Sequence, residues 1–370
     1  MSLFLIDGSL YPPGAPSPSL IVSQELSRLQ RSFHYCLPDH SPLYAQAVSA
    51  GLPVLTLGVR DSKDLLGVWR LTRIMKRRGC RLMHVHDLSL LPPAVAAASR
   101  ARVPLKVVTW VEGDLEMTSW SLKPKTFRSL DLVIVRHPSD KALLVKAGIA
   151  PDVVKVIPEG RDFSAYTRLD RTGNFRREWG LEDDDFVVGI RSRRLDGKVL
   201  PLLDRMKRSL EKDGIQIRPV LFAEGELTVG PEQAEAVDNL IFSVGDPAAF
   251  HRMLADLNLL VILSWLPGDE EDLQGIMTTG RPIIIFEGRG MPREMVHGET
   301  GLCVSREAPT ALSRNVKEIV QSREMGSKLA QNARRVVLEK YSREAMARRL
   351  IQEYENLARR RGISLFPLSK

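Results

Sequence analysis

The chain has 370 residues, 44% of them apolar and 26% charged, a length that predicts about two domains and a composition ordinary for a soluble globular protein. No apolar run approaches the ~20 residues of a membrane span, and the N-terminus lacks the basic region and small-residue cleavage site of a signal peptide, so the expected address is cytoplasmic, with peripheral attachment at the inner membrane face left open. The net charge of +8 includes basic clusters at Arg70–Arg81 and Arg343–Arg361, helical in pattern and without interleaved aromatics, which argues against nucleic acid and leaves solvated faces, an anionic membrane surface or a phosphorylated ligand.

In chain order, Leu3–Ile6 reads as a short strand running into a Gly/Pro/Ser loop, Asp7–Ser19. Helical spacing follows at Leu20–Leu29, then strands at His34–Leu37 and Val54–Leu57 with a short helix between them that ends at Gly51. Asp64–Arg78 is an amphipathic helix, Leu82–Val85 a strand and Pro92–Ala101 a small-residue helix. Strands at Leu105–Thr109, Leu132–Val135 and Val153–Ile157, with a helix at Ser139–Ala147, complete an alternation that predicts a parallel doubly wound sheet. The charged, turn-rich stretch 161–185 reads as a linker.

A second alternating set begins at Phe186–Ile190. It continues with a helix at Leu200–Leu210, strands at Val220–Phe222 and Leu240–Val244, and a helix at Pro247–Asp256. Leu259–Leu263 and Pro282–Phe286 are short apolar runs of the kind buried on both faces, joined by a short helix, Leu273–Thr279. Helices at Pro309–Val320, Met325–Lys340 and Arg343–Arg361 close the chain. The expected organisation is an N-terminal Rossmann-like domain (1–160), the linker (161–185), a C-terminal Rossmann-like domain (186–342) and a final helix (343–370) packing back toward the N-domain. Two similar halves predict a ligand at their interface. Cys36, Cys80 and Cys303 lie far apart without metal-ligand spacing and read as buried thiols of a reducing compartment.

The order of motifs resembles that of retaining GT-B glycosyltransferases that use nucleotide-sugar donors, the group 1 or family four enzymes. The resemblance spans nearly the whole chain. His84-Val85-His86-Asp87 resembles the HxHD strand end, and Val156 to Asp162 resembles the "vIPNGvD" segment. Arg193 to Lys198 resembles the Arg-x4-Lys, Phe242-Ser243-Val244-Gly245 the "vxFxG", and Gly288 to Val304 the "GGxpEivxdgxtGxlV". It implies an α/β GT-B fold, two Rossmann-like doubly wound domains facing across a cleft, and sugar transfer from a nucleotide diphosphate to an acceptor hydroxyl.

Under that resemblance the leaving diphosphate needs positive charge, and Arg193 and Lys198 supply a fork of donors and a point charge. Gly288, Gly290, Met291 and Glu294 would form the donor loop, with Ser243, Val244 and Gly245 beside the base and Gly268 near the diphosphate. Gly14, His86 and Asp87 fall on the acceptor side. No metal site or cofactor beyond the nucleotide-sugar is expected: His84 and His86 share a strand face, Asp87 lies on the other, and a third ligand is not evident.

The departures are equally specific. The family's Glu-x7-Glu falls on Pro267 and Gly275, neither of which offers a side-chain acceptor. Asp269-Glu270-Glu271-Asp272 occupies the intervening turn and would repel a diphosphate unless the carboxylates turn outward or bind a cation. Val111 stands where the family often has a sugar-contacting His, leaving Glu112 or Asp114 as substitutes or as parts of an ordinary turn. Two functions stay open: an active transferase building a bacterial surface glycan or lipid-linked intermediate, and a glycosyltransferase-like binding or partner subunit without donor chemistry.

Overall fold

The computed structural model describes all residues except 1, 10–16, 60–63, 111–126, 128, 168–172, 193–198, 224–240, 245–249, 251–252, 265–268, 307, 309 and 366–370, and at 110, 174, 223 and 241–244 it describes the backbone alone. The chain forms two compact units, Met1–Arg161 with Lys340–Lys370, and Asp162–Glu339.

The first unit is built on seven parallel strands: β1 (Ser2–Ile6), β2 (Phe33–Leu37), β3 (Val54–Thr56), β4 (Cys80–Val85), β5 (Leu105–Trp110), β6 (Leu132–Val135) and β7 (Val154–Val156). Their spatial order is β3-β2-β1-β4-β5-β6-β7. Because helices cover both faces, strands such as β1 and β6 are buried along their whole length rather than on alternate residues. Phe4 and Ile6 pack into one core with α3 (Leu65–Arg77) and α4 (Leu91–Ala101). Leu3 and Leu5 pack into the other with α1 (Pro18–Arg28), α2 (Pro42–Ser49) and the last helix, α12 (Arg343–Arg360). Helix α5 (Pro138–Lys146) joins β6 to β7. Pro18 and Pro42 start their helices where a missing N–H costs nothing, and the side chains of Ser41, Asp64 and Ser342 cap α2, α3 and α12.

Helix α12 returns to this unit through its own contacts. It packs on α1, and Arg161 bridges to Ser342 at its start. A Cβ added at Gly160 would stand 2.8 Å from the Arg343 Cα.

The second unit has six parallel strands: β8 (Val187–Ser192), β9 (Arg218–Ala223), β10 (Ile241–Val244), β11 (Leu259–Ile262), β12 (Ile283–Phe286) and β13 (Leu302–Val304), in the order β10-β9-β8-β11-β12-β13. Around them lie α6 (Ser164–Thr167), α7 (Asn174–Glu178), α8 (Val199–Lys212), α9 (Glu270–Met277), α10 (Ala311–Gln321) and α11 (Arg323–Tyr341). Leu203, Met206, Val316 and Leu329 from these helices fill one core with Val188, Val261 and Ile284 of the sheet.

Three differences from the sequence reading have physical causes. Residues 162–185 are counted with the second unit rather than standing apart, because Arg176 is 1% exposed and spends its guanidinium on the carbonyls of Glu182, Asp185 and Asp256 and on Asn258 Oδ1. Leu302–Val304 forms a strand unmarked in the sequence, paired in parallel with β12. Helix α9 begins at Glu270, three residues before the expected start, so the supposed acidic turn is its first turn, where carboxylates suit the partial positive charge of a helix N-terminus. Half of the expected helix at Pro247–Asp256, residues 247–249 and 251–252, lies outside the described residues.

Candidate functional site

Both sheets share one topological feature. The chain starts in the middle, winds outward through two strands and then restarts on the other side, so strand order reverses between β1 and β4 and again between β8 and β11. Parallel open sheets bind ligands outside the carboxyl ends of the strands at such a switch point.

In the first unit the switch point carries Asp7 and Gly8 after β1 and His86 and Asp87 after β4. Asp7 is fully buried in a hydroxyl cage: Ser9 donates its backbone N–H to it at 2.9 Å, Ser17 Oγ donates at 3.3 Å, and Ser19 Oγ donates a further bond. Burial raises its carboxyl above the usual carboxylate range, against the pull of those donors. A Cβ at Gly8 would come within 2.6 Å of both Asp87 Oδ2 and Leu90 Cδ1, so a larger residue there would have to displace the ends of those two side chains. Asp87 accepts from the Ser89 N–H at 2.8 Å. Outside lies a groove of about 1010 Å³, lined by Gly8, Asp39, His40, Asp64, Arg70 and Asp87 among others.

His84 has a structural task. It is fully buried between the Tyr354 hydroxyl of α12 at 2.5 Å and Thr109 Oγ1 of β5 at 2.8 Å, and burial holds its pKa well below the ordinary value. His86 stacks on it with ring centroids 3.9 Å apart. Its Nε2 has no hydrogen-bond partner among the described residues, and burial together with the positive charge of Arg136 lowers its pKa to about 3. Arg136 in turn pairs with Glu159 at 2.7 Å. Among the described residues no group of three or more His, Cys, Asp or Glu side chains could hold a metal ion.

In the second unit the described side chains at the switch point bond to one another. Ser192 Oγ at the end of β8 meets Ser264 Oγ after β11 at 3.1 Å. Arg191, 4% exposed, pairs with Asp272 of α9 at 2.5 Å and lies over the Phe250 ring at 5.0 Å. The Tyr166 hydroxyl of α6 donates to the other Asp272 oxygen at 2.5 Å, and burial followed by that carboxylate holds the phenol well above its usual pKa. The Tyr166 ring lies over Gly275, where a Cβ would stand 2.5 Å from Cζ. Of the four acidic residues expected to repel a diphosphate, Asp272 therefore binds a cation while Glu270 and Glu271 are exposed.

Gly288, Gly290, Met291 and Glu294 form one loop after β12. Gly290 takes φ +80°, the Met291 N–H points back to the Gly288 carbonyl, and Glu294 is buried with its carbonyl held by Thr300 Oγ1 at 2.6 Å. Ser243 and Val244 lie in β10, the edge strand beside β9, with backbone alone described. Arg193, Lys198, Glu112, Gly14, Gly245 and Gly268 lie outside the described residues. Arg191, Tyr166 and Ser192 are absent from the sequence reading. The available signal was an arginine following the apolar run Val187–Ile190, inside a strand where a charge must be paired.

Residues 21–165 match the Glycosyltransferase Family 4 model. No curated protein matches the sequence. Among solved structures, Anabaena Alr3699/HepE in complex with UDP is similar at 17% identity and a TM-score of 0.55, over 96% of this chain and 100% of that one. A glycosyltransferase from Rickettsia africae ESF-5 is similar at 13% identity and a TM-score of 0.55, over 96% and 98%. Alr3699/HepE in complex with UDP and glucose gives 16% identity and a TM-score of 0.50, over 96% and 100%. Likeness at these identities establishes the fold: two Rossmann-like parallel α/β sheets of the GT-B type.

Proposed function

We propose that the protein is a glycosyltransferase that moves a sugar from a nucleotide-diphosphate donor to a hydroxyl of a glycan or lipid-linked acceptor in cell-surface polysaccharide synthesis. The match of residues 21–165 to Glycosyltransferase Family 4, in a chain of GT-B fold, carries the reading. UDP and glucose in the similar Anabaena structures support a UDP-sugar as the first donor to test. In this reading residues 186–342 take the donor and residues 1–160 the acceptor.

The bond from the anomeric carbon to the diphosphate oxygen breaks, the acceptor oxygen takes its place with retention of configuration, and the hydroxyl proton leaves with the nucleoside diphosphate. Arg193 and Lys198 neutralise the charge that develops on the leaving group. Arg191, held by Asp272, fixes the end of β8 from which residues 193–198 depart. His86 Nε2, buried and partnerless among the described residues, suits a sugar hydroxyl in the first unit.

A second reading, a binding subunit without donor chemistry, is favoured by one observation: the Tyr166 ring fills the space at Gly275, where the resemblance would put a carboxylate. The two part on a thermal-shift panel of UDP-, GDP- and other nucleotide-sugars. A donor at a hundredfold excess over its dissociation constant should stabilise the chain by about 2.7 kcal/mol, and Arg193→Ala should remove that shift. A panel without any shift sinks the transferase and leaves the binding subunit.

A further inference from the structure

Exposed large apolar side chains are scattered singly over the described surface except on the first two turns of α3, where Leu65 is 72% exposed, Leu66 69% and Trp69 56%. These three lie on the same solvent-facing stripe as Arg70, Arg73, Lys76 and Arg77, while Val68, Leu71 and Met75 face the core. From Leu65 to Arg81 the chain carries six basic residues and no acidic one. Lys76 and Arg77 also suit the negative end of the helix, but Arg70 and Arg73 stand mid-helix, where that effect has faded. The Arg73 guanidinium lies 5.4 Å from the centre of the Trp69 ring, so the aromatic body and the cation form one amphipathic unit.

We infer that this stripe of α3 is a membrane-docking face that seats on an anionic lipid bilayer, Leu65, Leu66 and Trp69 entering the headgroup boundary while the arginines meet lipid phosphates. An apolar tip grading into a basic flank along one helix is the pattern of interfacial binding, and Trp is the aromatic best suited to that boundary. A second copy of the chain fits less well: three side chains expose on the order of 400 Å² at most, against roughly 800 Å² per partner in a stable interface. A dense positive charge also repels its own copy.

The placement matters because α3 follows β3, so its first turns stand at the carboxyl edge of the first sheet. Leu66 and Arg70 line the groove beside Gly8 and Asp87. Docking here would hold that groove at the lipid surface, open to a substrate carried by the bilayer. Delivery of an acceptor rests on the transferase reading above; the docking itself does not.

The test is co-sedimentation of the full chain with vesicles of phosphatidylcholine alone or mixed with phosphatidylglycerol. The chain should partition onto the mixed vesicles and weakly onto phosphatidylcholine. Leu65→Ser/Trp69→Ser should reduce partition at least tenfold at an unchanged melting temperature. Arg73→Gln/Arg77→Gln should reduce it about 25-fold at low salt, from roughly a fivefold effect per lost cation, and less at high salt. Trp emission should shift to the blue with mixed vesicles, and Trp69→Phe should lose that shift. Absence of wild-type binding, or equal binding by Leu65→Ser/Trp69→Ser, overturns the inference, as does a lipid-independent dimer that this variant abolishes. The nucleotide-sugar shift measured on the same variants keeps the two readings apart, since vesicle binding without any donor shift would defeat only the transferase.

Discussion

The two sheets share a strand order and differ in what stands where that order reverses. In the first unit Gly8 leaves room for the Asp87 and Leu90 side chains, Asp7 and Asp87 accept from neighbouring N–H groups, and a groove of about 1010 Å³ lies outside. In the second the described side chains at the corresponding place, Arg191, Asp272, Tyr166, Ser192 and Ser264, are bonded among themselves. Topology dictates where a mouth can form; the side chains at the strand ends decide which groups line it. Three measurements can break or sharpen this contrast.

The largest effect is expected at Gly275. Gly275→Glu restores the carboxylate that the resemblance calls for, yet its Cβ would overlap the Tyr166 ring and its charge would enter a buried helix position. Overpacking and an uncompensated carboxylate together should cost about 4 kcal/mol in urea unfolding. Adding Tyr166→Ala should recover about half by vacating the space. Gly275→Glu alone with wild-type stability would mean that Tyr166 does not hold the space beside Gly275.

Next comes the buried ion pair. Arg191→Met keeps volume but leaves Asp272, 28% exposed, without its cation, and should cost about 3 kcal/mol. Arg191→Met with Asp272→Asn should recover most of that loss, because no charge is left unpaired and the amide oxygen still accepts from the Tyr166 hydroxyl. The exposed pair Lys317–Asp213, with side chains 37% and 43% exposed, supplies the contrast, and its loss should cost under about 1 kcal/mol. If the double variant is as unstable as Arg191→Met, Arg191 contributes through its stacking on Phe250 rather than through charge.

How much of this was legible follows from the same residues. Leu132–Val135, Leu259–Ile262 and Ile283–Phe286 are strands buried on both faces, and an unbroken apolar run is what such a strand requires. The departure at Gly275 was also legible, but its reason was not: Tyr166 and Asp272 are 106 residues apart, and sequence spacing carries no trace of their contact. Glu270, Glu271 and Asp272 were legible as charge and misread as a turn, because the same carboxylates that repel a phosphate also open a helix. Arg176 looked like one basic residue among many in a polar stretch; its buried role depends on carbonyls, which every residue has.

The smallest effect tests the chemistry of the first switch point through pH. His84 and His86 are buried and neutral, with folded pKa values below the ordinary 6.5, that of His86 at about 3. A depressed histidine contributes stability that is complete above its unfolded pKa and is lost as pH falls below it, because only the unfolded chain then takes up the proton. Between pH 7 and pH 5 His86 should therefore cost about 2 kcal/mol of stability, and His84, lowered by burial, and His34, lowered by partial burial and Arg78, act with the same sign. Asp7 opposes them: its raised carboxyl contributes stability that is lost as pH rises through the folded value, so Asp7→Asn should steepen the acid-side fall. Because His86 Nε2 has no partner among the described residues, His86→Gln should leave stability at pH 7 nearly unchanged while removing about 2 kcal/mol of the loss at pH 5, read from urea midpoints at both values. An undiminished loss in His86→Gln would mean that His86 already carries a proton in the folded chain, and with it that the first mouth is wetter than its burial implies.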